Sequence, residues 1–148
     1  MKLRTSAPWM SAADYAKTLS GLTLNLVVRD VAAAVKFGES VLQARTVYSD
    51  PDFAVMQSGQ TQWMLHADHC YDQHPMGTLV QKQTHRGVGI EIRLHGVDPG
   101  QAQARSVALG YEVLYDAQDK RHGVREAYIL DPDGYVWVPD IPLPPSSP

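Results

Sequence analysis

Large aliphatic residues at Leu22, Leu24, Leu26 and Val28 alternate with Thr23, Asn25 and Val27, the period of two that marks a strand with one buried face. Asp30 stands where a helix N-cap belongs. Val31, Ala34, Val35, Gly38, Val41 and Leu42 follow at helical spacing, so an amphipathic helix is expected over roughly 31–43. Short apolar runs come next at 46–48, 53–56 and 62–65, separated by Ser-Asp-Pro-Asp and Gln-Ser-Gly-Gln, both turn compositions. The order is strand, helix, three strands.

The same order recurs downstream. Val88, Ile90, Ile92 and Leu94 alternate with Gly89, Glu91 and Arg93. Asp98 caps a second helix, Pro99 fits its first position and Gly110 the position past its end. Strands are expected at 111–115, 126–130 and 135–139, the last two joined by a tight Asp-Pro-Asp-Gly turn. Leu22 to Val88 and Val28 to Leu94 are each 66 apart, Leu42 to Leu109 and Tyr48 to Tyr115 are 67, and Trp63 to Trp137 is 74. A steady offset with one insertion, assigned to the loop DAQDKRHGVRE, is the signature of an internal duplication. The expected class is α+β, two βαβββ modules at 21–80 and 86–141 within a domain spanning 21–141. An arm at 1–20 precedes it, with a short helix starting at Ser11, and an extended, poorly ordered proline-rich tail follows at 142–148. Each helix covers one sheet face. Two such sheets set edge to edge would curl into a cup with the helices outside and a ligand cavity inside. Parity places the aliphatic rows under the helices and the rows Thr23, Asn25, Val27 and Gly89, Glu91, Arg93 in the cup, joined by Gln62, Met64, His66 and Val136, Val138, Asp140.

Composition narrows the classes. The chain of 148 residues carries 13 Lys and Arg against 16 Asp and Glu, a net charge of −3 that argues against a nucleic-acid surface. Its single cysteine, Cys70, excludes a disulfide framework and a polycysteine zinc site. There is no apolar run of membrane-span length and no secretory signal, so a cytoplasmic protein without membrane or nucleic-acid partners is expected.

The repeated unit, with LVVRDVAAAVKF and the ending HGVREAYILDPDGYVWV, resembles the vicinal oxygen chelate superfamily, the glyoxalase, bleomycin-resistance protein and extradiol dioxygenase group. Two departures are visible. Gly38 follows Phe37 where the family often has tyrosine, and Gln43 follows Leu42 where it often has glycine. In metal-using members the resemblance implies one His, Glu or similar ligand from each first and each fourth strand. Those positions fall on Thr23, Met64, Gly89 and Val138. Threonine is a poor ligand, methionine suits soft metals, and glycine and valine offer no donor. The expectation is therefore a small-molecule-binding protein of the bleomycin-resistance type, linked to antibiotic resistance, using no metal or other cofactor and forming a homodimer.

The alternative is a lyase, isomerase or dioxygenase in which His66 and Glu91, with Asn25, act as acid–base groups or hold a shifted Zn, Ni, Fe or Mn ion. Candidate ligand contacts are Asn25, Tyr48, Phe53, Met64 and Arg93, with His122, Arg125 and Tyr128 added by the resemblance. Arg93 and Arg125 are the candidates for an anionic or phenolic group. The bland readings are that Glu91 pairs with Arg93 or Arg125, that Arg125 pairs with Glu126 or Asp131, and that His122 lies on a surface turn. The segment HADHCYDQH at 66–74 reads as a polar loop rather than a metal site. Trp9 and Met10 read as exposed residues able to dock on a neighbouring chain.

Overall fold

A computed structural model of the chain describes residues 1–145. It divides into two compact units, residues 1–39 with 44–83, and residues 40–43 with those from 84 onward. Each unit holds one four-stranded mixed sheet. In the first, β1 (Asn25–Val28), β4 (Thr61–Ala67), β3 (Phe53–Ser58) and β2 (Arg45–Ser49) lie in that order; in the second, β5 (Glu91–His95), β8 (Val136–Pro142), β7 (Val124–Leu130) and β6 (Val113–Asp119) do. The outer β1 and β5 run parallel to their neighbours and the remaining pairs are antiparallel. The α+β class expected from the pattern is the one observed.

The helices form for the reasons the sequence supplies. α1 (Ala12–Thr18) starts at Ser11, whose hydroxyl accepts from the Asp14 N–H. α2 (Val31–Ser40) follows Asp30, whose carboxylate accepts from Ala33 N–H at 3.2 Å. Its buried face is Val31, Ala34, Phe37 and Gly38. A Cβ on Gly38 would stand 2.8 Å from the Met56 methyl group, so the missing side chain lets β3 lie close under the helix. α4 (Pro99–Leu109) is capped by Asp98 and closed by Gly110 in the left-handed conformation. The Asp-Pro-Asp-Gly turn is held by Asp131, whose carboxylate accepts from Asp133 N–H, Tyr135 N–H and the Trp137 indole.

Several boundaries differ from the expectation. β1 and β5 begin three residues late, and Leu22, Leu24, Val88 and Ile90 are exposed rather than under a helix. The ladder to β4 starts only at Asn25, and Gly89, at φ 84°, breaks the extended backbone before β5. The long second-unit loop is mostly strand. β6 runs through Asp116–Asp119 and pairs polar residues, Gln118 with Glu126 and Asp119 with Arg125, leaving a tight turn of 120–123. The segment 66–74 is ordered: it ends β4, forms a 3-10 helix (Asp68–Tyr71), and caps α3 (Pro75–Gln81) through the His74 ring. The tail is strand to Pro142, and Leu143 N–H bonds Gly123 O at 2.8 Å; residues 146–148 of that tail lie outside the described residues.

Register also corrects the repeat. Asn25 pairs with Met64, whereas Glu91, its repeat partner, pairs with Val136 and not Val138. The fourth strands are thus slipped by two residues between units. A slip of two keeps every side chain on its face, so the parity assignments survive it.

Candidate functional site

In the first unit, the face away from α2 carries Asn25 and Val27 from β1, Met64 and His66 from β4, Phe53 and Val55 from β3, and Tyr48 from β2, each opposite the next in register. This face is covered by the arm, not left to solvent. Trp9 stacks on Tyr48 with ring centroids 4.6 Å apart, and Tyr15 meets Phe53 edge-on at 5.9 Å. Trp9 is exposed, as expected, and at the same time stacks on this sheet.

The arm is pinned at one carboxylate. Asp52, nearly fully buried, accepts from the Leu3 N–H at 2.6 Å, the Arg4 N–H at 3.3 Å and the His69 ring at 2.7 Å. Burial alone would push this carboxyl up; the hydrogen bonds from Leu3, His69 and Arg4 outweigh it and hold Asp52 below the usual carboxylate range. The Ser-Asp-Pro-Asp turn sets its position, because Asp50 accepts from both the Asp52 and Phe53 N–H groups. Arg4 reaches Asp50 at 3.5 Å.

Between arm and sheet lies a cavity of about 510 Å³, within the range of small-molecule pockets. Its walls include Trp9, Tyr15, Phe53, Met64, His66 and Tyr71. Lys2, Arg4, Asp52 and Cys70 also line it. His66 Nδ1 is 2.6 Å from Asn25 Oδ1, and the Asn25 amide donates to the Tyr71 hydroxyl at 2.8 Å. That amide orientation fixes the imidazole tautomer: Nδ1 carries the proton, and Nε2 keeps its lone pair. Burial, partly countered by Asp50, pushes the His66 pKa below its usual 6.5, so the ring is neutral at pH 7. Phe53 packs on the imidazole at 4.5 Å and restrains it. The Tyr15 side chain is only 7% exposed, and its buried hydroxyl has no hydrogen-bond partner among the described residues.

Beside the cavity, ligand atoms of Asp52, His69 and Cys70 lie within 4.8 Å of one another. The carboxylate already serves the arm, and burial with the nearby Asp52 charge pushes the Cys70 thiol up.

The second unit's corresponding face is ionic. Arg93 reaches Glu91 at 3.0 Å and Asp140 at 3.2 Å, and also bonds Glu126. Tyr128 donates to Glu91 at 3.0 Å. His122 sits 3.8 Å from Glu126 and is otherwise exposed. The Arg93 guanidinium is held in its charged form by Glu126, against burial. Arg125 pairs with Asp119 at 2.7 Å, not with Glu126 or Asp131, because the slipped polar hairpin sets them opposite each other. Both arginines are therefore already committed to carboxylates. The structure gathers Asn25, Tyr48, Phe53, Met64 and His66 on the first sheet, and Glu91, Arg93 and Tyr128 on the second. Of the four positions the resemblance marks for a metal, Thr23 precedes β1, Gly89 precedes β5, and Met64 and Val138 lie on β4 and β8. None offers a hard donor set.

Tyr15 and Tyr71 were not marked from sequence, whereas Asp52 was, with Glu91 and Glu126, as a partner for a cationic ligand. For the two tyrosines the one sequence signal is weak: Tyr15 sits on the apolar side of the capped helix that starts at Ser11.

Residues 21–138 match the model of the glyoxalase/bleomycin resistance protein/dioxygenase superfamily. No curated protein matches the chain. Solved structures that resemble it include a glyoxalase/bleomycin resistance protein/dioxygenase family enzyme from Burkholderia phytofirmans PsJN, at TM-score 0.64 and 20% identity, covering 82% of this chain and 97% of that one. TioX from Micromonospora sp. ML1 aligns at TM-score 0.59 and 20% identity over 84% and 99% of the two chains. Lactoylglutathione lyase from Agrobacterium tumefaciens aligns at 0.60 and 16%, over 82% and 92%. Among the described residues no helix is long and apolar enough to cross a membrane.

Proposed function

The chain belongs to the glyoxalase/bleomycin resistance protein/dioxygenase superfamily, and from that premise we propose that it binds a small planar organic molecule without a metal ion. The observation that carries this reading is the residue set at the family's ligand positions: Thr23, Met64 and Val138, with Gly89 by sequence offset or Glu91 by the observed register, supply at most one carboxylate, too few to grip a hard divalent cation. The cavity over the first sheet supports it, since aromatic walls with a few fixed polar groups suit binding alone. The reading is that of a binding protein of the bleomycin-resistance kind, in the cytoplasm and as a homodimer, which light scattering at micromolar concentration checks.

A second reading, acid–base lyase or isomerase chemistry, is favoured by one observation, the neutral His66 with a free Nε2 lone pair. Glu91 is the weaker half of that pair, being bound by Arg93 and Tyr128.

The test is made on protein purified without a histidine tag. Elemental analysis and melting-temperature shifts against a panel of planar compounds are measured with and without a chelator. Binding at a ligand concentration one hundred times Kd stabilises by about 2.7 kcal/mol. The expected result is substoichiometric metal and ligand shifts indifferent to the chelator. Stoichiometric Zn, Ni, Fe or Mn, lost in Glu91→Ala, overturns the reading.

A further inference from the structure

The arm lies outside the segment that matches the family, yet it builds part of the cavity wall and brings two cations to it, Lys2 and Arg4. The hydrogen-bonding capacity of that wall is lopsided. Its carboxylates are engaged. Asp52 takes two backbone N–H groups and the His69 ring, and its neighbour Asp50 takes two backbone N–H groups and the Tyr48 hydroxyl. The cations are not engaged in the same way. The Arg4 guanidinium stands 3.5 Å from Asp50 and makes no hydrogen bond among the described residues, although its side chain is only 20% exposed. Lys2 has neither a hydrogen bond nor an ion pair among them. Burial, Asp52 and Asp50 push the Cys70 thiol up, and the Lys2 ammonium is among the charges that pull it down, so that ammonium stands near the same wall. Arg93 and Arg125, the arginines the sequence marked for an anion, are each bonded to carboxylates. Arg4 is part-buried, lines a cavity, and keeps its donors free.

We propose that the arm-covered cavity binds a planar aromatic carboxylate, with Arg4 and Lys2 holding the carboxylate and Phe53 and Trp9 covering the ring. This rests on the reading of the chain as a small-molecule binder and names the ligand's class. The guanidinium fork matches the two oxygens of a carboxylate, and its bonds to an anion are stronger than those to a neutral acceptor. A cationic ligand meets two charges of its own sign and finds the Asp50 and Asp52 oxygens already occupied. His66 is neutral, and its bare Nε2 lone pair repels an anion, so the charged end of the ligand belongs at the arm and the ring at the sheet. Phe53 and Trp9 supply flat apolar surfaces for that ring.

Isothermal titration calorimetry of the full chain at neutral pH with 2-naphthoate, 2-naphthamide and 2-naphthylmethylammonium tests it. The expected result is binding of 2-naphthoate about tenfold tighter than the amide, with the ammonium weakest. Arg4→Gln keeps the backbone N–H that Asp52 accepts; it should weaken 2-naphthoate about tenfold and leave the amide unchanged. Arg4→Lys should recover part of that loss, because the charge returns without the fork. A purely structural arginine would loosen the arm and weaken all three ligands together. Lys2→Gln, at an exposed position, should weaken 2-naphthoate about twofold. Raising the salt from about 0.05 M to about 0.5 M should weaken 2-naphthoate alone. Equal affinity for 2-naphthoate and 2-naphthamide, or a preference for the ammonium, overturns the ligand class while leaving small-molecule binding intact. An Arg4→Gln protein that keeps the preference for the carboxylate overturns the role of the arm. No binding of any of the three overturns the inference, and the broader reading is then judged separately by the compound panel and the metal content.

Discussion

Removing the Arg93 guanidinium is the sharpest test of how the second unit is held. Arg93→Met keeps the length and apolar stem of the side chain and deletes its charge. Glu126 and Asp140, each 3% exposed, then face one another without their shared counter-ion. What remains is peripheral: Lys120 at 3.9 Å and His122 at 3.8 Å from Glu126, and His95 at 2.7 Å from Asp140. Breaking a buried ion pair from one side costs about 3–5 kcal/mol, because it strands an uncompensated charge. The Arg93 side chain is itself 31% exposed, so water reaches the site and the lower end, about 3 kcal/mol, is expected. Set against the roughly 5–15 kcal/mol by which small domains are stable, that is a large fraction. The assay is urea unfolding followed by circular dichroism, with the midpoint falling at constant slope. Adding Glu126→Gln to Arg93→Met should recover a good part of the loss, since the remaining carboxylate no longer faces a second. A single variant within about 0.5 kcal/mol of the parent, the range of ordinary surface substitutions, would show that the cluster is solvated and refute the reasoning.

Gln43 adopts φ 56° on an exposed turn, a conformation unfavourable for a residue with a Cβ, so Gln43→Gly should stabilise by about 0.5–1 kcal/mol in a thermal melt. Gly134 has φ 79° and a Cβ there would sit 2.6 Å from the His85 Cα, so Gly134→Ala should cost about 3 kcal/mol or more by urea unfolding. The same change at Gly21, equally left-handed but in open space, should cost only about 1 kcal/mol. Burial raises Asp131 to about 6 from 3.8, so the folded state binds its proton more tightly than the unfolded state does. Stability should therefore rise as pH falls from about 6 toward 3.8, by at most about 3 kcal/mol, and decline as pH climbs back through that window. Asp131→Asn should flatten that part of the profile, and a profile unchanged by the substitution would contradict the assignment. Asp52, held below its usual range, acts in the opposite sense, and its contribution is lost as pH drops below 3.8.

Much of this protein was legible from order alone. Caps at Ser11, Asp30 and Asp98, the glycine stop at 110, the Asp-Pro-Asp-Gly turn and the repetition of strand, helix and three strands are all local or periodic signals. The alternation also assigned faces correctly, placing His66, Met64 and Asn25 together, because side-chain parity does not depend on the partner strand. Interstrand register was not available from the same pattern. The two-residue slip of β8 relative to β4 leaves every face unchanged, so nothing in the alternation records it, yet it decides that Arg93 lies opposite Val138. The partners of charged groups follow from register and from long-range packing, which is why Asp119 was not among the partners the sequence suggested for Arg125.

The arm shows the limit most plainly. Its composition marks a short capped helix and a few aromatic residues, and those marks suit a free tail as well as a covering strap. Its place was decided by a buried carboxylate 49 positions away, through the bond from Leu3 to Asp52, and by the aromatic surface of a sheet assembled from three other segments. The linear sequence determined the strands and helices of the two repeated modules and the alternation of their side chains, since those depend on neighbours a few residues apart; it did not mark the helices at Asp68–Tyr71 and Pro75–Gln81. Tertiary structure alone decided that Tyr15 and His66 line one enclosure, because that requires the sheet to exist before the arm has anything to pack against.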